Sequence, residues 1–287
     1  MTSSTTAVQA APPLWRDMDR AELDRAYDNS SAVSTSAAML ADWTRRSEAL
    51  RARLPELTGL SYGPRERNRM DIFRSGAVHA PLLVFIHGGY WQRNSRDVFS
   101  CMAEGVLAAG IDVAVPGYTL APAAGLGQIM DEIAAALAWL RQEGPALGLA
   151  TGQLIVSGWS AGGQLAASAM ALPQVDAGLA ISGIFDLEPI RLGTLNDKLG
   201  LTPADVPQLS PIHTIPSRPG PLVMAYGTAE LPELQRQSVD YAQAWHSAGH
   251  DGTLLPLAGD NHFSILEQLA QPGGALAAKV VKLAGRS

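Results

Sequence analysis

The run Gly158-Trp159-Ser160-Ala161-Gly162-Gly163 sets a hydroxyl nucleophile between glycines. Without chemistry it is a Gly/Ser-rich turn. Its flanks argue for more. Gln153 to Ser157 is an apolar, β-branched run that reads as a buried strand, and Gln164 to Leu172 is rich in helix formers. A strand, G-x-S-x-G and a helix make the turn on which a serine is pushed out at the C-terminal edge of a sheet. Serine is a weak nucleophile and needs a base and an orienting acid.

Six histidines are available as the base. His262 follows the last expected strand in the short loop Gly259-Asp260-Asn261-His262, at the same sheet edge as Ser160. His246 and His250 flank the end of a helix and suit its dipole. His213 lies in a Pro-rich loop, and His79 precedes a strand at the far end. For the acid, Glu230 in Gly227-Thr228-Ala229-Glu230 lies between nucleophile and base in the chain and follows a strand. Asp186 is the rival, while Asp260 is too close to His262 in sequence to orient it. An acyl-transfer intermediate also needs N–H donors for its oxyanion. Ala161, next after the nucleophile, offers one; Gly88 and Gly89, in His87-Gly88-Gly89 after an apolar strand, offer two more.

These residues need a parallel sheet to hold them. Leu60 to Tyr62 and Met70 to Phe73 read as antiparallel edge strands. Pro81 to Ile86, Ile111 to Pro116, Gln153 to Ser157, Ala177 to Ile184, Pro221 to Tyr226 and Thr253 to Leu257 follow, about eight strands in all. Helices alternate with them: 126–141, 164–172, 233–247 and 263–283. The pattern predicts an α/β protein with a mostly parallel, doubly wound central sheet. Residues 186–219 hold six prolines and are expected to carry only short helices. Residues 1–14 read as a disordered tail and 15–287 as one domain. Within it, 15–55 form an N-terminal helical arm or cap, with helices over 17–27 and 35–53 and with Trp43 as core packing. Tyr27 and Asn29, between those helices, are expected near the pocket mouth; Tyr90, Trp91, Trp159 and Phe185 complete the candidate pocket.

Composition narrows the chemistry. Of 287 residues, 47% are hydrophobic and 17% charged, as in a globular enzyme. A net charge of −6 carries no basic footprint for nucleic acid. One cysteine, Cys101, in an apolar stretch, rules out an intrachain disulfide and a cysteine metal cluster. No apolar run approaches the roughly 20 residues of a membrane span, and the start lacks a signal-peptide pattern. No nucleotide-binding glycine pattern or metal-ligand spacing is present, so no cofactor and no metal are expected. The expected partner is a small-molecule substrate, with a second copy of the chain as the other candidate, and the expected location is cytoplasmic.

Several of these runs resemble the α/β-hydrolase fold, and more narrowly the kynurenine formamidase (arylformamidase) family. His87-Gly88-Gly89-Tyr90-Trp91 is similar to its H-G-G-x-W. Gly117 to Pro122, Leu195 to Leu201 and Leu209-Ser210-Pro211 are similar to further segments, as is Asn261-His262-Phe263 to its N-H-F. Glu230 to Ser238 resembles its acid-bearing segment, with Glu230 at the acid's position. Glu230 stands where many members have Asp, and Trp159 where His is common. The resemblance implies a serine hydrolase using Ser160, Glu230 and His262. Its substrate would be an aryl formamide such as N-formylkynurenine or, as the alternative, a short-acyl or aromatic ester. A non-catalytic module of the same fold is a distant third, since such modules usually lose a triad member.

Overall fold

A computed structural model describes residues 13–286. Most of the expected tail, residues 1–12, lies outside the described residues; Leu14 already donates its N–H to the Met18 carbonyl at 2.9 Å.

Eight strands form one sheet: β1 (Leu60–Ser61), β2 (Arg69–Phe73), β3 (Leu82–Ile86), β4 (Asp112–Pro116), β5 (Leu154–Trp159), β6 (Ala177–Ile181), β7 (Leu222–Gly227) and β8 (Gly252–Leu257). Their order is β1-β2-β4-β3-β5-β6-β7-β8. Pairings β1–β2 and β2–β4 are antiparallel and the rest parallel. The central strands are buried on both faces, which explains their continuous apolar runs. Alternate side chains feed two cores. Leu82, Val84, Ile86 and Val156 join one; Leu83, Phe85, Ile155 and Leu179 join the other.

The parallel direction puts the C-terminal ends of β3, β5, β6, β7 and β8 along one edge, which carries the loops with the candidate chemistry. Several expected elements come out shorter, among them the helix expected over 17–27, which forms as Arg20–Ala26. β6 stops at Ile181, not Ile184, because Ser182 adopts φ 50° and turns the chain out of the ladder. The closing helix is split into Ser264–Leu266, Glu267–Ala270 and Ala275–Leu283. Pro272 has no N–H to give, and Gly273 takes φ 77°.

The arm begins with helix Arg20–Ala26. Asp19 caps it by accepting from Glu22 N while the Glu22 side chain accepts from Asp19 N. A short helix, Asn29–Ala32, and a long one, Ser36–Arg53, follow. The long helix buries Trp43 against Phe263 and Trp159, with ring centroids 6.2 and 6.0 Å away. Arg46 reaches Glu267 with two contacts, at 2.9 and 3.0 Å. The arm is thus fastened beside the loop that carries His262, and Trp43 is core packing.

Candidate active site

The turn after β5 is strained for a reason visible in its glycines. Ser160 sits at φ 58°, ψ −120°, a conformation that costs a non-glycine residue about 1–3 kcal/mol. A Cβ on Gly158 would come within 2.0 Å of Gly162 O, and one on Gly162 within 2.1 Å of Ile86 O. Only glycine at both positions lets the helix Ala161–Ala169 pass this close to β3 and β5. Ser160 N is anchored to Ile181 O at 2.8 Å. The strain aims the Ser160 side chain into a small cavity that Gly89, Tyr90, Trp159 and His262 also line.

His262 follows β8. Its Nδ1 lies 3.0 Å from Glu230 Oε2, with both side chains almost fully buried. Glu230 is itself fixed: Oε1 accepts from Ser182 Oγ at 2.6 Å and from Gly227 N at 2.7 Å. An ionised carboxylate with these donors holds the imidazole with Nδ1 protonated and Nε2 free to accept a proton. Trp159 Nε1 donates to His262 O at 2.7 Å, and the two rings lie 4.9 Å apart. No hydrogen bond joins Ser160 Oγ to His262 Nε2 among the described residues. Such contacts are often long in a free site and tighten around substrate.

The β3 loop completes the wall. A Cβ on Gly88 would strike Trp159 O at 2.6 Å; Gly89 takes φ 120° and a Cβ there would meet Arg93 O at 2.4 Å. Asn94 Nδ2 holds Gly88 O at 3.2 Å. Among the backbone hydrogen bonds of the described residues, none uses the N–H of Gly88, Gly89 or Ala161. The His87 ring stacks between Tyr118 (4.3 Å) and Phe99 (5.9 Å), and its Nδ1 meets Gly88 O at 2.9 Å. Burial pulls its pKa down to about 4, so it is a neutral buttress.

The other sequence candidates fall elsewhere. Asp186 Oδ1 accepts from Glu188 N at 3.0 Å, at the start of a short helix and away from His262. His246 and His250 bond the carbonyls of Gly252 and Pro216. Asn29, Tyr90 and Trp159 line the cavity. Three expected pocket residues, Trp91, Phe185 and Tyr27, do not. Trp91, at φ 58°, turns its ring into the core, where Nε1 donates to Gln164 Oε1 at 3.1 Å. Phe185 stacks on Tyr241 at 4.3 Å. Tyr27 lines a neighbouring cavity that shares Tyr90 and Arg93 with the first, and its hydroxyl donates to Glu233 Oε2 at 3.1 Å. Burial holds the Tyr90 hydroxyl well above the ordinary tyrosine value, so it stays protonated. Ser182 escaped the sequence reading; its one signal is a Ser-Gly pair just after a strand.

The fold has counterparts among known proteins. Residues 83–204 match a family model described as an alpha/beta hydrolase fold. A kynurenine formamidase of Salmo salar is 27% identical over 298 residues, covering 95% of this chain and 99% of that one. A solved structure from a Silicibacter species, provisionally described as a thioesterase, superposes with a TM-score of 0.81 at 29% identity, covering 90% of this chain and 98% of that one. The chain is a hydrolase of the α/β-hydrolase fold. An ethyl acetate hydrolase of Pseudomonas putida is 27% identical over 213 residues, 65% of this hydrolase and 66% of that one. Among the described residues of this hydrolase, no helix is long and apolar enough to cross a membrane.

Proposed function

We propose that this hydrolase cleaves an aryl formamide of the N-formylkynurenine kind through an acyl-enzyme on Ser160. One observation carries the reading: His262, held by the buried Glu230, lines the same cavity as the strained Ser160 and Gly89, and the N–H groups of Gly88, Gly89 and Ala161 are unengaged. Ser160 Oγ attacks the carbonyl carbon and His262 Nε2 takes its proton. The carbonyl oxygen becomes an anion facing the three N–H donors, where each is worth about 3 kcal/mol of barrier. Collapse breaks the C–N bond, and His262 returns the proton to the leaving amine. Water, deprotonated by the same imidazole, then releases formate and restores Ser160. Glu230 keeps Nδ1 protonated and offsets the imidazolium charge.

Cavity size supports a small acyl group. The space beside Ser160 is about 50 Å³, on a scale where a water needs roughly 10–15 Å³. That suits a formyl or an acetyl group. The relatives named above point the same way, one named for a formamide and one for an acetate ester. The near-complete overlap with the formamidase puts the formamide first, and the ester hydrolase is the second reading. The proposal keeps a small molecule as partner and the cytoplasm as location; Cys101 is a buried free thiol.

A panel of p-nitrophenyl esters tests the cavity. From acetyl to hexanoyl, kcat/KM is expected to fall about 100-fold or more, because extra methylenes must displace Trp159 and Phe263. Flat or rising activity along the series would contradict the small-acyl assignment. N-formylkynurenine beside p-nitrophenyl acetate then ranks formamide against ester.

A further inference from the structure

Asn29 opens the short helix Asn29–Ala32, and Asp28 caps that helix by accepting from Ser31 N at 3.1 Å. The residue is buried, 3% exposed, although it belongs to the arm and not to the sheet. Its Nδ2 donates to Tyr90 Oη at 2.8 Å. The proton of that hydroxyl is already given to Tyr27 O. Tyr90 Oη can therefore only accept from Asn29, which fixes the amide with its NH₂ toward Tyr90 and its carbonyl turned away. The carbonyl, Oδ1, is buried and has no partner. Asn29 lines the same cavity as Ser160 and His262. A finished fold rarely leaves such an acceptor unpaired, and one held rigid at a reaction cavity is a socket for a donor from the substrate.

Resting on the acyl-enzyme reading above, we infer that Asn29 Oδ1 accepts the scissile N–H of the substrate and sets the preference of this site for amides over esters. A secondary amide brings a donor to this carbonyl. An ester of the same shape brings an alkoxy oxygen, so two lone pairs face each other and Oδ1 stays unpaired. The bond lasts through the reaction. As C–N breaks, the proton from His262 goes to the nitrogen lone pair. The N–H already present stays on nitrogen and on Oδ1, and no proton moves to Asn29. Tyr90 and Tyr27 O act through Asn29, as positioning groups.

The test compares formanilide with phenyl formate, which share the acyl group and the ring and differ in N–H against O. In Asn29→Leu, the ratio of kcat/KM for formanilide to that for phenyl formate is expected to fall about 30-fold, the range for losing one buried hydrogen bond. Both substrates are read on one sample, so any misfolded fraction cancels. If Asn29→Leu does not accumulate, Asn29→Ala gives the same ratio. A ratio within about threefold of the unchanged enzyme, as for a neutral substitution, overturns the role of Asn29 and leaves the acyl-enzyme reading standing. An unchanged enzyme that hydrolyses neither compound overturns both.

Discussion

Ser160→Ala is expected to lower kcat/KM for p-nitrophenyl acetate by about 10⁴- to 10⁶-fold, the range for removing the nucleophile of an acyl-transferring triad. The change removes one atom. Ser160 Oγ makes no hydrogen bond that the fold depends on, and the anchor from Ser160 N to Ile181 O is backbone. Alanine meets the same positive φ as serine, so the turn keeps its strain and the unfolding temperature should stay close to that of the unchanged protein. Steady-state kinetics and a thermal melt on the same preparations check both halves. A variant within tenfold of the unchanged enzyme would remove Ser160 from the mechanism. Residual activity of about 10³-fold over water is expected, because the three N–H donors remain.

Glu230→Gln is the second large effect. The carboxylate has two faces with different duties. Oε1 accepts from Ser182 Oγ and Gly227 N, and Oε2 meets His262 Nδ1. A glutamine keeps its carbonyl oxygen where two donors wait and so turns its NH₂ toward the imidazole. That NH₂ can only donate, so Nδ1 must give up its proton and Nε2 must carry it. The base then faces Ser160 in the wrong tautomer, and the imidazolium loses its counter-charge. A fall in kcat of about 10⁴-fold follows, with little change in stability because the size is conserved. Removing Ser182 Oγ alone leaves Oε2 charged, so Ser182→Ala should cost much less. Equal losses in Glu230→Gln and Ser182→Ala would show that only packing is at stake.

The parts of this site that were legible in sequence are those forced by local geometry. Gly158 and Gly162 are glycines because a Cβ would come within about 2 Å of a carbonyl oxygen, and that constraint leaves its mark within five residues. Gly88 and Gly89 carry the same mark beside Trp159 and Arg93. The alternation of strands and helices gave the parallel sheet and, with it, the edge where the ends of β5, β7 and β8 meet.

Other features depend on which strands become neighbours and where a side chain swings at a turn. Ser182 matters because β6 lies beside β7 and because its φ is 50°; neither fact is written near residue 182. Trp91 and Phe185 stand at loop starts, where one positive φ or one aromatic partner decides between cavity and core. The split of the last helix was signalled by Pro272-Gly273, and helix periodicity on either side masked it. Asn29 reaches Tyr90 across 61 positions, through an arm whose docking is a tertiary event.

The proposed mechanism passes through a covalent acyl group on one serine. Rapid mixing of the enzyme with excess p-nitrophenyl acetate, followed by acid quench, digestion and mass spectrometry, tests it directly. A burst of p-nitrophenolate equal to the active sites, with an acetyl group on the peptide bearing Ser160, is the expected result. Full turnover with no acetyl on that peptide, or with the acetyl on another residue, would contradict it.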